Sequence, residues 1–147
     1  MKNYLEKIVA IPGVHYAVVA NNKAAVIDRL GENPHTKEAE AKIIFHALQM
    51  LVAVRNMNRN VEDADFLFLN GRFLFFNFDK LNLFVFCRNT VKISLLRMTV
   101  NVVMNEALND KKVKKIVEKN IIDGNLLLRE SNLDKTEKEL IEAILKT

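Results

Sequence analysis

Two short runs, Phe73-Leu74-Phe75-Phe76 and Leu83-Phe84-Val85-Phe86, are apolar at every consecutive position. Side chains alternate between the two faces of a β-strand, so a sheet with one wet face shows apolar residues at every second position. These runs do not alternate. Both faces of their sheet must therefore be covered, and the rest of the chain offers helices for the purpose. The architecture this predicts is an α/β (α+β) fold, a three-layer αβα sandwich.

The remaining punctuation sets the element order. Leu5, Ile8 and Val9 recur at helical spacing, and Pro12-Gly13 stops that helix. Val14 to Ala20 and Ala24 to Leu30 read as strands around Asn21-Asn22-Lys23, an antiparallel hairpin. After a loop through Pro34, Thr36 is placed to cap a helix, with Glu38 and Glu40 favourable to its dipole. This helix runs without Gly or Pro to about Arg59, and the segment from Asn58 to Asp63 breaks it. Three strands follow, Asp65 to Asn70, Arg72 to Phe78 and Leu81 to Cys87, joined by the turn pairs Asn70-Gly71 and Asp79-Lys80 as a meander. Asn89 or Thr90 then caps a helix reaching about Asn109. The order is αββαβββα over residues 1–109.

Residues 110–147 read as a mostly helical extension. Val113, Ile116 and Val117 give a weak amphipathic stretch, and Asp123-Gly124 marks a turn. Thr136 and Glu139 stand at capping-box spacing ahead of the stripe Leu140, Ile141, Ile144 and Leu145. Too small to fold alone, this extension either packs back on the core or a second copy, or engages a partner.

Composition excludes several classes. Half of the 147 residues are hydrophobic, enough for a substantial core. The formal charge of +4 is mild, and the one dense basic run, Lys111, Lys112, Lys114, Lys115 and Lys119, reads as a solvated helix face. Without basic residues interleaved with stacking aromatics, no nucleic-acid partner is expected. The single Cys87 lies in an apolar strand and reads as an inert thiol. No uncharged apolar run approaches the ~20 residues of a membrane span, and the charged start lacks a signal-peptide core. A cytoplasmic chain without integral membrane association is the expectation.

Nor do catalytic groups converge. His15 falls in a strand, His35 in a loop and His46 on the long helix, with no HxxxH or HExxH spacing. Ser94 and Ser131 sit in no nucleophile-elbow pattern, and there is no GxxxxGK[ST] loop. Glu62, Asp63 and Asp65 read as a solvated turn rather than a cation site. The expectation is a chain that is not an enzyme, with no cofactor and no metal.

The long helix carries the most information. Lys42, His46, Gln49, Ala53 and Asn56 form one stripe, and nearly everything else from Ile43 to Met57 is apolar apart from Arg55. The apolar arc spans roughly 240°, where resting on a sheet takes little more than about 100°. The surplus calls for a second partner, either a neighbouring element of the same chain or a twofold-related copy of the helix. The next strand favours the copy. If it lies at the sheet edge, its centre Phe66-Leu67-Phe68-Leu69 carries no Lys, Pro or central charge to discourage pairing with another chain. The residues singled out for that interface are Ile43, Ala47, Met50, Leu51, Val54 and Met57 with Phe66, Leu67, Phe68 and Leu69. Lys42, His46, Gln49, Arg55, Asn56 and Arg59 remain to dock another protein.

Taken with Leu5-Glu6-Lys7-Ile8-Val9-Ala10-Ile11-Pro12-Gly13-Val14, Asn70-Gly71-Arg72 and Asn89 leading into a helix with Arg97, the element order resembles the roadblock/LC7 family over about residues 2–109. The first hairpin departs from the family in having Asn21-Asn22-Lys23 where Asp and Gly are usual. The resemblance implies a five-stranded antiparallel sheet of order 2-1-5-4-3, with the first and last helices on one face and the long helix on the other. It implies dimerisation through the long helix and third strand. The function it implies is a homodimeric non-catalytic module that binds and regulates or scaffolds a small Ras-like GTPase. A structural adaptor in a motility, secretion or motor complex without a GTPase is the alternative. A small-ligand sensor is disfavoured because the Phe-filled sheet is expected to leave little room.

Overall fold

The computed structural model describes residues 1–33, 35–59, 62–68 and 71–118. In chain order the elements are α1 (Lys2–Val9), β1 (Val14–Asn21), β2 (Val26–Gly31), α2 (Lys37–Asn56), β3 (Asp63–Phe68), β4 (Gly71–Phe78), β5 (Leu81–Cys87) and α3 (Ile93–Asn109). The five strands form one antiparallel sheet of order β2-β1-β5-β4-β3, as the resemblance implied.

The consecutive apolar residues are buried because each face of the sheet meets its own helix layer. Leu74, Phe76, Leu81, Leu83, Val85 and Cys87 point to one side, against Leu5 and Ile8 of α1 and Leu96, Val100, Val103, Met104 and Ala107 of α3. Tyr16, Val18, Ala20, Phe73, Phe75, Phe84 and Phe86 point to the other, against Ile44, Ala47, Leu48 and Leu51 of α2. Residues 111–118 are also helical, and Val113 and Val117 join the α1–α3 core. Lys111, Lys112, Lys114 and Lys115 are exposed there, whereas Lys119, the Asp123-Gly124 turn and the Thr136-capped stripe lie outside the described residues.

Several boundaries differ from the sequence expectation for local reasons. Thr36 caps α2 as anticipated, its Oγ1 accepting from the Ala39 N–H at 3.1 Å. Neither Asn89 nor Thr90 caps α3; its N-cap is Lys92, with no side-chain capping bond. Asn89 instead donates to the Phe68 carbonyl, tying the loop after β5 to the end of β3. The third strand begins at Asp63 rather than Asp65, because Asp63 and Ala64 pair with Phe76 and Phe75 of β4. Residues 69 and 70, assigned to that strand and its turn, lie outside the described residues. The first hairpin turn uses Ala24 in the left-handed region (φ 65°), while the Asn21 side chain accepts from the Lys23 and Ala25 N–H groups.

One end of α2 is anchored by a buried carboxylate. Glu40, 2 % exposed, accepts from the Tyr16 hydroxyl at 2.6 Å and from Asn33 Nδ2 at 2.6 Å. It also pairs with Arg29 at 3.0 Å. The helix is thereby fixed to β1, to β2 and to the loop between β2 and itself. Burial first, and this hydrogen bond second, push the Tyr16 hydroxyl far above the ordinary phenol range. Toward the other end of the sheet, Asn77 donates to Asn82 at 2.7 Å and Asn82 to Asn22 at 2.9 Å, while Arg55 reaches Asn77 at 3.3 Å. These two polar clasps position α2 on the sheet.

Candidate functional site

Where α2 is placed determines what it leaves uncovered. Its inner residues sit over β1, β5 and β4, and β3 forms an edge of the sheet. Phe66 of β3 is half-buried and stacked on Phe73 at 5.5 Å, continuing a row of rings through Phe84 and Phe86. Beyond it Leu67 is 65 % and Phe68 60 % exposed. Between β3 and α2 runs a trough of about 670 Å³, walled by Ile43, Ala47 and Met50 on the helix and by Phe66, Phe68, Phe73 and Phe86 on the sheet. The phenylalanines thus leave more room than the sequence suggested, because α2 stops short of the edge strand.

The ten residues singled out for an interface separate into groups. Ile43, Met50 and Val54 are half-buried and Met57 is 66 % exposed. Ala47 and Leu51 are buried beneath α2 in the core of the single chain, so Leu51 has no free surface to offer and Ala47 only floors the trough. Phe66 and Phe68 face the α2 side. Leu67 faces the α3 side, opposite Arg72 in the register, and Leu69 lies outside the described residues. Ile43, Ala47, Met50, Val54 and Met57 follow each other at spacings of four, three, four and three. That repeat forms a seam along a helix suited to packing on a second helix. It was legible in the sequence, but the wide apolar arc hid it.

Two charges, Asp63 and Asp65, stand at the start of β3, while Phe66-Leu67-Phe68 carries none. Both carboxylates are occupied: Asp65 pairs with Arg72 across the strands at 3.0 Å and Asp63 with Arg97 of α3 at 3.3 Å. They therefore blunt the edge little, and they do not converge with Glu62 on a cation site. Among the described residues no group of His, Cys, Asp or Glu has the arrangement of a metal site. No described helix is long and apolar enough to cross a membrane. Cys87 borders the trough, and burial raises its thiol pKa to about 11.

The docking stripe falls on the outer side of α2. Lys42, His46, Arg55, Asn56 and Arg59 are exposed and Gln49 is half-buried. Arg55 is partly engaged by Asn77. His46 also lines the trough, together with His15 and His35. Sequence reasoning kept these three histidines apart because they lie on separate elements. Only the sheet order and a β-bulge between Val14 and Tyr16 bring them to one place.

This arrangement defines a class: the chain has the roadblock/LC7 fold. The structure of MglB in a tetrameric arrangement matches with a TM-score of 0.62 at 11% identity, over 81% of this chain and 88% of that one. The gliding protein MglB of Thermus thermophilus matches with a TM-score of 0.60 at 10% identity, over 80% and 88%. A roadblock/LC7 domain from Streptomyces avermitilis gives 0.58 at 11% identity, over 70% and 89%. No family model matches the sequence, and no curated protein does.

Proposed function

We propose that the chain is a non-catalytic interaction module that pairs with a second copy through β3 and the trough-facing side of α2, and presents the paired surface to a small Ras-like GTPase. The observation that carries this reading is the continuity of three features: an edge strand, the apolar trough beside it, and the four-three seam of α2. A small molecule would fill a cavity of this size, since ligand pockets span roughly 300–1,000 Å³. It would leave the strand edge unpaired and Leu67, Phe68 and Met57 in water. A second copy supplies a strand for the edge and a helix for the seam at once, with the self-complementarity that twofold pairing requires. Residues 1–109 form the pairing module in this reading, and 110–147 are an appendage to it.

The GTPase half of the proposal draws its support from the fold shared with MglB and from the polar stripe of exposed Lys42, His46 and Asn56 with half-buried Gln49. It is tested by immobilising the full chain and presenting a small Ras-like GTPase from the same genome, loaded with GDP or with a non-hydrolysable GTP analogue. Binding that differs between the two states, and is lost in Met50→Asp, is the expected result. Equal absence of binding in both states refutes the GTPase reading and leaves a structural adaptor.

A further inference from the structure

All three histidines of the chain line the trough, although they stand at positions 15, 35 and 46. Each arrives from a different element. His15 occupies the bulge of β1, where its carbonyl accepts from the Glu32 N–H at 3.0 Å. His35 lies just before α2, its ring edge-on to Phe86 at 5.3 Å. His46 is on an exposed part of α2, 5.4 Å from the Phe45 ring. The other ionisable groups of the wall are Arg72 of β4 and the Cys87 thiol of β5, which burial keeps neutral. Arg72 is held by Asp65 of β3. Among the described residues no carboxylate lines the trough. Glu40 turns instead to Tyr16, Asn33 and Arg29, and the exposed Glu32, Glu38 and Lys42 are not part of the wall.

We infer that this histidine set makes self-pairing pH-gated, neutral imidazoles admitting the second copy and protonated ones expelling it. The inference rests on the self-pairing reading above. Imidazole changes charge between about pH 5 and 8. Covering it with apolar surface, with no carboxylate to answer its charge, favours the neutral form. The paired state therefore binds fewer protons than two separate chains, and pairing weakens as pH falls through the histidine range. Each histidine that must give up its proton to pair weakens association about tenfold for every pH unit lost across that range. A symmetric pair counts every such residue twice, so one per protomer already gives about 100-fold.

Sedimentation equilibrium of the full chain at about pH 7.5 and pH 5.5, with circular dichroism confirming the fold at both, tests this. The expected result is a Kd at least about 100-fold higher at the lower pH, and a His15→Gln, His35→Gln, His46→Gln triple variant whose Kd, whatever its value at neutral pH, differs less than about tenfold between the two. If that variant does not fold, His46→Gln alone, at an exposed position, must remove at least about tenfold of the shift. A wild-type pair whose Kd is unchanged overturns the gate while leaving self-pairing intact, as does a variant with the full pH dependence. A chain that is already monomeric at pH 7.5 overturns self-pairing itself, and the gate with it.

Discussion

Replacing Glu40 by Ala removes the carboxylate that fastens the start of α2 to the sheet. Three partners lose their acceptor: the Tyr16 hydroxyl at 2.6 Å, Asn33 Nδ2 at 2.6 Å and the Arg29 guanidinium at 3.0 Å. Tyr16 is 1 % exposed and cannot turn to water, so its hydroxyl bears a desolvation cost. Breaking a buried ion pair by deleting one partner costs about 3–5 kcal/mol. Arg29 is 41% exposed and recovers some solvation, which places the expected loss near the bottom of that range, about 3 kcal/mol. At an unfolding entropy of about 2.1 cal/mol/K per residue, a folded unit of this size should melt roughly 12 °C lower. Glu40→Gln keeps one acceptor and loses the charge, so about half that effect is expected. Thermal and urea unfolding followed by far-UV circular dichroism measures both variants, at one fixed protein concentration because self-association raises apparent stability. A Glu40→Ala loss below about 1 kcal/mol would show that the clasp is not what holds α2, and the placement of the trough would need another cause.

Further outcomes follow from other parts of the structure. Gly31→Ala should cost at least about 3 kcal/mol in the same unfolding assay, since φ is +102° there and a Cβ would be driven into the His15 carbonyl oxygen at the β1 bulge. Native Cys87 should resist a thiol reagent at about pH 8 and react at once in denaturant, because burial holds its pKa near 11; rapid native labelling would contradict the burial of its side chain in the α1–α3 core. The hydrogen bond from Tyr4 at 2.6 Å lowers the Asp110 pKa, so this link stabilises above the ordinary carboxylate value and its contribution is lost as pH falls through the depressed folded value. The stability gap between wild type and Tyr4→Phe should accordingly be present at neutral pH and close in acid, and a gap independent of pH would contradict the assignment. Phe68→Asp, which sets a charge on the exposed end of β3, should weaken self-association at least about 100-fold with little change in the melting of the separate chain.

Much of the fold was legible because single-residue patterns dictate it. Apolar runs without alternation announced two covered faces, Pro12-Gly13 and Asp79-Lys80 marked turns, and Thr36 capped the helix it precedes. What stayed hidden depends on contacts distant in sequence. The start of α3 lies beyond Asn89 and Thr90, at a Lys92 N-cap whose side chain makes no capping bond and so leaves no local signal. The third strand began two residues early because Asp63, which read as the end of the break after the long helix, pairs with Phe76 of β4 and is held by Arg97. Leu51 read as interface because a helical wheel cannot tell which part of a wide apolar arc meets the sheet; it lies in the core. The histidine cluster required the strand order, which no local pattern contains.

Light scattering coupled to size-exclusion chromatography, on the full chain at neutral pH and tens of micromolar, reads the mass of the species in solution. A mass twice that of the chain, falling to the single value in Phe68→Asp, is what pairing through β3 and α2 predicts. A wild-type mass of one chain would contradict it.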